Sequence, residues 1–457
     1  IGYYTAKYNH FNAGQDATFG GVTSPSSTYT DSNGVGSFYY QPPTGALALC
    51  TQNLPTPTIE DPAEHFKCVK WGNQSQGDDM ITYIDSPQPL GTVNVGFAPD
   101  FVWAKARNGS SHHAKWDTLR GNKSIIYSSL NNGQSTGSYS AGSNGPGQGY
   151  NGFENFTDTG FTVNEHAGGG EINHPSRTYI AWCWRAGVAP TANDKAMIDG
   201  VEKTITGDTV LDAGTITPTK ISANTRAGYS IIQYVGQRTT TASDTMSHGL
   251  SGAPEFLLMK NLDKNAHWSA YTIHAAGGGY LSLTDAWGTS RATWMVNDQN
   301  PTNSLITVGW NSDNVNQSGD NHIIYAWHSV PGYSAFGSYT GNSTADNAFV
   351  YTGFKPAWVM TKATFTQNPN NNYNSWTIVD NVRSSHNPST LGQGLWANSS
   401  TKEGYRTGDT GNLTTELHID LLSNGFKVRN SSYENGQPGI YIYMAFAEQT
   451  TNFTTAR

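Results

Sequence analysis

The stretch Pro254-Glu-Phe-Leu-Leu-Met-Lys260 decides the fold, because its pattern occurs twice more in the chain. The other copies are Pro99-Asp-Phe-Val-Trp-Ala-Lys105 and Pro356-Ala-Trp-Val-Met-Thr-Lys362, and in all three the lysine follows the proline by 6 positions. Each copy holds four consecutive apolar residues, a length typical of a buried β-strand rather than a helix. The recurrence predicts three copies of one structural unit.

Further landmarks keep the same order around each copy. An apolar segment precedes it, at residues 80–84, Tyr229–Val235 and 333–339, and a tryptophan follows it, at Trp116, Trp268 and Trp376. Late in each unit a short strand ending in valine precedes an aromatic strand, and 18, 18 and 17 residues separate that valine from the alanine of the aromatic strand. These pairs are Gly160–Val163 with 179–182, Leu305–Val308 with 324–327, and Gly425–Val428 with 443–446.

The segments between these strands favour turns, since they are rich in Gly, Asn, Ser and Asp. No window sustains apolar residues at i, i+3, i+4 and i+7, the pattern of an amphipathic helix. Aromatic inner faces need a second sheet to cover them, so each unit of about 100 residues is predicted to be a sandwich of two antiparallel sheets. The predicted fold class is all-β, with tandem antiparallel β-sandwiches.

The landmarks place the first repeat at 80–188, the second at 229–332 and the third at 333–457. Residues 59–79 are predicted to be a linker, and residues 189–228 a second linker that holds a small hairpin between Met197 and Ile205. Residues 1–58 do not match the repeat. Because the chain begins with Ile1, we expect them to complete a domain begun upstream or to borrow strands from a neighbouring copy.

Composition excludes several functional classes. The 457 residues carry 26 Lys+Arg and 34 Asp+Glu, a net charge of −8, and no basic run that would neutralise nucleic-acid phosphates. An aromatic content of 12% indicates a folded chain. No stretch approaches the ~20 apolar residues of a membrane-spanning helix, so we expect neither a nucleic-acid partner nor membrane insertion.

Cysteine usage is sparse. Cys50, Cys68 and Cys183 are too few for a disulfide framework and lack the spacing of a zinc site, which favours folding in a reducing compartment.

Two parts of the chain resemble tail fibre-like virion proteins of tailed bacteriophages. The segment from Phe38-Tyr-Tyr-Gln-Pro-Pro-Thr-Gly to Asn53-Leu-Pro resembles the end of their SPRY-like, lectin-type domain. The repeat resembles the concanavalin A-like lectin modules that follow it, with the pattern G-F-x-P-x-x-V-x-x-K, W-D-x-x-R-G, G-F-x-V and Y-x-A-W. That pattern stands here as Gly96-Phe-Ala-Pro99 with Lys105, Trp116-Asp117 with Arg120-Gly121, Gly160-Phe-Thr-Val163, and Tyr179-Ile-Ala-Trp182.

The resemblance covers nearly the whole chain. It implies jelly-roll sandwiches and a structural role in the virion, assembled in the host cytoplasm from this chain and other virion proteins. It also implies homo-oligomers, with a trimer as the expectation, and host attachment through cell-surface polysaccharide. The alternative is a purely architectural capsid or tail decoration protein without glycan binding, and a polysaccharide depolymerase is the third reading.

The candidate site residues form two similar groups, each beside its own tryptophan. Asp117 and Arg120 follow Trp116, and Asp380 and Arg383 follow Trp376 with the same spacing, whereas the second repeat has no Asp-x-x-Arg after Trp268. An ion pair that holds the loop is the favoured interpretation. The alternative is glycan binding, in which a tryptophan face stacks on a sugar ring beside polar groups.

A candidate metal site lies in the Asn/Asp-rich loop that contains Asp313, Asn316 and Asp320. Oxygen ligands at this density suit calcium, although the same residues are preferred turn formers, and turns are the favoured interpretation. No other cofactor is predicted.

Catalytic signals are weak. Glu416 and Asp420 share one face of a predicted strand, but no second acidic pair accompanies them, and no nucleophile elbow, zinc helix or phosphate loop is present. The sequence therefore predicts a non-enzymatic protein.

Overall fold

The computed structural model describes fifteen segments of the chain: residues 13–53, 57–72, 91–136, 152–163, 172–174, 177–238, 243–275, 279–285, 290–291, 299–309, 313–366, 375–383, 394–404, 419–431 and 436–449. The chain divides into two compact units, residues 1–60 with 451–456 and residues 61–450 with 457. Regular structure in the described segments is β-strand apart from two 3₁₀ turns, Thr51–Asn53 and Pro62–Glu64. The predicted all-β class is confirmed, and none of the described helices is long and apolar enough to cross a membrane.

The first repeat is a sandwich of a six-stranded and a three-stranded antiparallel sheet. Its strands are β1 (Phe66–Gly72), β2 (Gly91–Asn94), β3 (Phe101–Ala106), β4 (Ala114–Asp117), β5 (Ser124–Tyr127), β6 (Ser135–Thr136), β7 (Phe153–Thr157), β8 (Gly160–Val163) and β9 (Thr178–Trp184). The larger sheet has the order β1-β9-β3-β4-β5-β6, and the smaller has the order β2-β8-β7.

The second repeat pairs a nine-stranded sheet with a two-stranded one. Its strands are β10 (Lys195–Ile198), β11 (Val201–Thr204), β12 (Lys220–Asn224), β13 (Tyr229–Val235), β14 (Asp244–Ser247), β15 (Phe256–Asn261), β16 (Ser269–Thr272), β17 (Gly279–Ser282), β18 (Ser290–Arg291), β19 (Leu305–Val308) and β20 (Asn321–Trp327). The larger sheet has the order β11-β10-β12-β13-β20-β15-β16-β17-β18, and β14 pairs with β19.

The third repeat has a five-stranded and a three-stranded sheet. Its strands are β21 (Ser334–Gly341), β22 (Phe349–Tyr351), β23 (Trp358–Thr366), β24 (Thr377–Asp380), β25 (Leu395–Trp396), β26 (Ile419–Leu422), β27 (Gly425–Val428) and β28 (Gly439–Phe446). The orders are β21-β28-β23-β24-β25 and β22-β27-β26, so the same sequence of strands recurs in all three larger sheets.

The predicted hairpin between Met197 and Ile205 is confirmed as β10 and β11. Asp199 and Gly200 form its turn with φ values of 50° and 81°, the left-handed pair that a tight two-residue hairpin turn requires. Because β10 also runs parallel to β12, the segment 189–228 extends the sheet of the second repeat rather than forming a bare linker.

The predicted start of the first repeat is wrong. The strand equivalent to β13 and β21 is β1, which pairs with β9 along its whole length and lies inside the predicted linker 59–79. Lys67 and Lys70 interrupt its apolar pattern, which explains why the sequence does not reveal it. The segment 80–84 that was predicted in its place lies outside the described residues.

Each sandwich encloses its own apolar core. In the first repeat, Trp71 stacks on Tyr179 at 5.1 Å and meets Phe161 of the smaller sheet at 5.6 Å, while Trp116 stacks on Phe153 at 4.8 Å. Gly160 and Gly425 occupy equivalent strands, and a Cβ at either would lie 2.0 Å from a carbonyl oxygen of the paired strand. This close approach explains the glycine of the G-F-x-V landmark.

The opposite faces of the larger sheets meet one another in an aromatic cluster. Trp184 of the first repeat lies 6.3 Å from Trp327 of the second and 5.7 Å from Trp358 of the third, between ring centroids. Phe256 of the second repeat stacks on Phe336 of the third at 6.0 Å. Each repeat therefore contacts both others, and the three form one unit.

The smaller unit is organised by Asp31 rather than by sheets. Its described residues contain one isolated bridge, between Tyr29 and Phe38, where closing strands of a lectin-type domain were expected. The Asp31 carboxylate accepts the backbone N–H groups of Val35 (2.9 Å) and Ala48 (2.8 Å). Burial works to raise the pKa of Asp31, but these donors and the Asn53 amide hold it at about 2.

All three cysteines are free thiols, and Cys68 and Cys183 are buried. Cys68 pairs with Trp182 in the register of β1 and β9, so Cys183 points to the opposite sheet face and cannot reach it.

Candidate functional site

The two Asp–Arg groups are buried ion pairs. In the first repeat Arg120 Nε lies 2.5 Å from Asp117 Oδ2, and the backbone N–H of Arg120 donates to Asp117 Oδ1 at 3.0 Å. Arg383 and Asp380 repeat both contacts at 2.6 and 2.9 Å in the third repeat. Each arginine thereby fastens the loop that follows its strand, as the favoured interpretation predicts.

The glycan-binding alternative does not fit these six residues. Trp116 and Asp117 are 0% exposed, Trp376 and Asp380 are 1% exposed, and the arginine side chains are 1% and 0% exposed. A sugar ring therefore has no access to them, because they are covered by the sandwich core or by a neighbouring repeat. Trp116 is also not the equivalent of Trp268 and Trp376, since it pairs with Val102 and packs inside the first core.

Both carboxylates accept a further hydrogen bond from a different repeat. The Tyr325 hydroxyl of the second repeat donates to Asp117 Oδ2 at 2.6 Å. The Trp182 indole N–H of the first repeat donates to Asp380 Oδ2 at 3.0 Å. We call each such contact region between two repeats a junction.

The strand registers explain why only two junctions have this bond. Asp117, Thr272 and Asp380 occupy one equivalent position, paired with the first residue of β3, β15 and β23. Trp182, Tyr325 and Met444 occupy the matching position on β9, β20 and β28. Threonine replaces the carboxylate in the second repeat, and methionine replaces the donor in the third. The missing acceptor and the missing donor therefore belong to the same junction, the one between the second and third repeats.

Indole–carbonyl bonds form a second set of junction contacts. Trp268 Nε1 donates to the carbonyl of Tyr127 in the first repeat at 2.7 Å, and Trp376 Nε1 donates to the carbonyl of Ser282 in the second repeat, also at 2.7 Å. The equivalent position of the first repeat, next to the residue that pairs with Ala104, is occupied by His113. The alignment of the three repeats in sequence placed Trp116 at this position and therefore missed His113.

The lysine that ends each Pro-led strand is also buried, on the sheet face that meets the other repeats. Lys105, Lys260 and Lys362 are 1%, 0% and 0% exposed. Lys260 Nζ donates to the carbonyls of Asn261 (2.8 Å), Ala266 (3.0 Å) and Asn131 (3.2 Å), of which Asn131 belongs to the first repeat. Burial lowers the pKa of Lys260 to about 7.

Lys115 is a further buried base that sequence reasoning missed. Its Nζ lies 3.9 Å from the centre of the Trp103 ring and 4.8 Å from that of Trp268 in the second repeat. Its amine has no hydrogen-bond partner in the described part of the chain, and burial followed by the charge of Arg120 lowers its pKa well below the usual value. Its amine therefore lies between two indole faces, in the geometry of a cation–π contact.

The calcium alternative does not fit the described part of its loop. Asp313 pairs with Arg238, and Asn316 donates to Asp244 at 2.8 Å. Asp320 accepts from Lys264 at 3.1 Å. Within the described segments no three His, Cys, Asp or Glu residues are grouped to hold a metal, and the favoured turn interpretation agrees with the turns at 313–315 and 318–319.

The acidic pair of the depolymerase reading is only partly described. Glu416 lies outside the described residues. Asp420 is 5% exposed and accepts from Arg429 Nε at 2.7 Å, so its carboxylate is engaged in an ion pair.

These features define an all-β protein of three sandwich repeats joined by buried polar contacts. A family model described as a domain of unknown function (DUF7483) matches residues 61–450, and the chain belongs to that family. No curated protein and no solved structure matches the chain.

Proposed function

We propose that this chain is a non-enzymatic structural protein of a tailed-phage particle, in a tail fibre or a similar surface appendage. The observation that carries the proposal is the pair of buried inter-repeat bonds from Tyr325 to Asp117 and from Trp182 to Asp380. Such bonds fix three sandwiches in one arrangement, as a load-transmitting part of a particle requires. The resemblance of the repeat to phage lectin-like modules supplies the phage context.

Host-glycan contact remains part of the proposal, but it moves to a different surface. Phe349 and Tyr351 lie two residues apart on β22, an outer strand of its sheet, and are 48% and 67% exposed. Residues two apart on a strand share a face and are separated by about 7 Å. Two exposed aromatic rings at that spacing suit stacking on neighbouring sugar rings.

The aromatic pair belongs to the third repeat alone. Register places Thr92 and Asn94 at the equivalent positions of the first repeat, and Thr245 and Ser247 at those of the second. Lys427 lies opposite Phe349 in the strand register and pairs with Asp346 at 2.7 Å. This surface therefore combines apolar rings with hydrogen-bonding groups, as glycan recognition needs.

Location on the particle tests the structural proposal. The hairpin strand β11 is exposed at all four residues, so a short epitope inserted between Asp199 and Gly200 is accessible without disturbing a core. Antibody labelling of particles carrying that insertion is expected at a tail appendage. Label over the capsid would favour the architectural alternative, and absence of the chain from purified particles would reject both.

Glycan-array binding by the full chain tests the second part of the proposal. Binding to host surface polysaccharide is expected to be lost in Phe349→Ala/Tyr351→Ala and kept in the matched control Thr92→Ala/Asn94→Ala. Binding that survives the aromatic substitutions would place the contact elsewhere. Absence of binding in the wild type would leave the architectural alternative.

A further inference from the structure

The junction between the third and first repeats differs from the other two at one residue. Where Trp268 and Trp376 each donate an indole N–H to a carbonyl of the preceding repeat, the first repeat has His113. His113 is 0% exposed, and its ring stacks on Trp182 with 6.1 Å between centroids.

The hydrogen bonding of His113 defines its neutral tautomer. Trp103 Nε1 lies 2.9 Å from His113 Nδ1, and an indole nitrogen can only donate, so Nδ1 must be the unprotonated acceptor. The proton therefore resides on Nε2, which is buried and has no hydrogen-bond partner among the described residues. A second proton on this ring would have to bind Nδ1 and break the bond from Trp103.

The groups that face His113 oppose a second proton. Lys105 lies on β3, Lys115 on β4 and Arg383 in the third repeat, and His112 is the neighbour of His113 in sequence. Burial, followed by these four basic groups, lowers the pKa of His113 well below its usual value.

Two carboxylates of this junction have cationic partners, and a third, Glu448, accepts the backbone N–H of Cys68 at 2.6 Å while burial raises its pKa. Asp380 holds Arg383 at 2.6 Å, and Glu403 of the third repeat holds Arg107 of the first at 2.7 Å. Among the described residues, the charged groups that act on His113 are all basic, so a charge on its ring would be disfavoured in the closed junction and stabilised by exposure to water.

We propose that His113 is an acid-sensitive latch for the junction between the third and first repeats. A proton from solvent binds Nδ1, the hydrogen bond from Trp103 breaks, and this junction opens while the junction between the first and second repeats stays closed. The latch gives the particle a component whose arrangement of repeats responds to mild acid, which is a property beyond the scaffold role proposed above.

Backbone amides on each junction provide a local readout. Across the third-to-first junction, Ser111 N donates to Ser400 O at 2.9 Å, and Glu403 N donates to Arg107 O at 2.8 Å. Across the first-to-second junction, Ala266 N donates to Asn131 O at 2.8 Å, and Gln134 N donates to Leu262 O at 2.6 Å.

Hydrogen exchange of the full wild-type chain between pH 7 and 5 tests the latch. After correction for the intrinsic pH dependence of exchange, the opening constant at Ser111 and Glu403 is expected to rise about tenfold for each pH unit below ~6.5, the ordinary histidine pKa. Ala266 and Gln134 are expected to keep their protection. An equal rise at both junctions, or no rise at Ser111, would overturn the proposal.

Three variants separate His113 from its neighbours. His113→Gln is expected to abolish the pH dependence at Ser111 and Glu403. His112→Gln is the control for the adjacent ring, and His65→Gln is the control for a second histidine that contacts the third repeat, 6.0 Å from Tyr333 between centroids. Both controls are expected to retain the tenfold slope, and a slope that persists in His113→Gln or disappears in a control contradicts the assignment. If His113→Gln does not fold, the comparison of the two junctions in the wild type still decides the question.

Discussion

The Tyr325 hydroxyl of the second repeat donates a 2.6 Å hydrogen bond to Asp117 of the first, although 208 residues separate them in sequence. Asp117 is at the same time the partner of Arg120, so one buried carboxylate both closes its own loop and holds the next repeat. The third repeat reproduces this arrangement with Asp380, Arg383 and Trp182.

Tyr325→Phe is expected to lower the free energy of unfolding by about 1.5–3 kcal/mol, because it removes a buried hydrogen bond to a charged group. Tyr229→Phe is the matched control, since Tyr229 is equally buried but its hydroxyl has no hydrogen-bond partner within the segments that the structure describes. Its stability is expected to stay within about 0.5 kcal/mol of the wild type. Chemical denaturation checks both, and equal losses would show that the Asp117 bond contributes nothing.

Asp380→Ala is expected to lower the free energy of unfolding by about 3–5 kcal/mol, because it removes the carboxylate that lies 2.6 Å from the buried Arg383 guanidinium. Thr272→Ala, at the equivalent position of the second repeat, is expected to cost about 1 kcal/mol or less, since no arginine depends on it. The measurement is again the denaturation midpoint. Similar losses at the two positions would contradict a special role for the ion pair.

Stability is expected to fall as the pH drops from about 6.5 to 4, partly through His322. Burial lowers the pKa of His322 to about 4, so between its unfolded and folded pKa values the unfolded chain binds a proton that the folded chain does not. At about 1.36 kcal/mol per pH unit, this contributes about 3 kcal/mol of lost stability at pH 4. His322→Gln is therefore expected to lose about 3 kcal/mol less than the wild type between pH 7.5 and 4, and parallel losses would exclude His322 as a contributor.

Thiol labelling checks the placement of β1. Cys50 is exposed, whereas Cys68 on β1 and Cys183 on β9 are buried, and burial raises the pKa of both buried thiols. One rapidly reacting cysteine is expected in the native chain and three after denaturation. Rapid labelling of Cys68 would restore the linker interpretation of residues 59–79.

Sequence reasoning predicted the fold class because strand composition and turn residues are local. The Pro-to-Lys frame correctly located β3, β15 and β23, and the Asp-x-x-Arg spacing correctly predicted two ion pairs. Sequence reasoning failed where a strand carries charge. In β1, Lys67 lies on the same face as the core-facing Val69 and Trp71, and Lys70 lies on the opposite face, so neither face shows an uninterrupted apolar pattern.

The register of the paired strands was the second feature that the sequence did not predict correctly. The late aromatic motif of the first repeat was aligned at 179–182, but Trp184 is the residue that pairs with the start of β3, as Trp327 pairs with the start of β15. A slip of two residues keeps every side chain on the same sheet face, so an alternating pattern cannot detect it. The roles of His113, Lys115 and Tyr325 at the junctions depend on contacts between repeats, and no local pattern reveals those roles.

The central claim is that the three repeats form one locked unit, and calorimetry of the full chain tests it most directly. One cooperative transition is expected for residues 61–450, with equal calorimetric and van't Hoff enthalpies, and Tyr325→Phe is expected to shift that whole transition to lower temperature. Separate transitions for the repeats, with Tyr325→Phe affecting only one of them, would contradict the account.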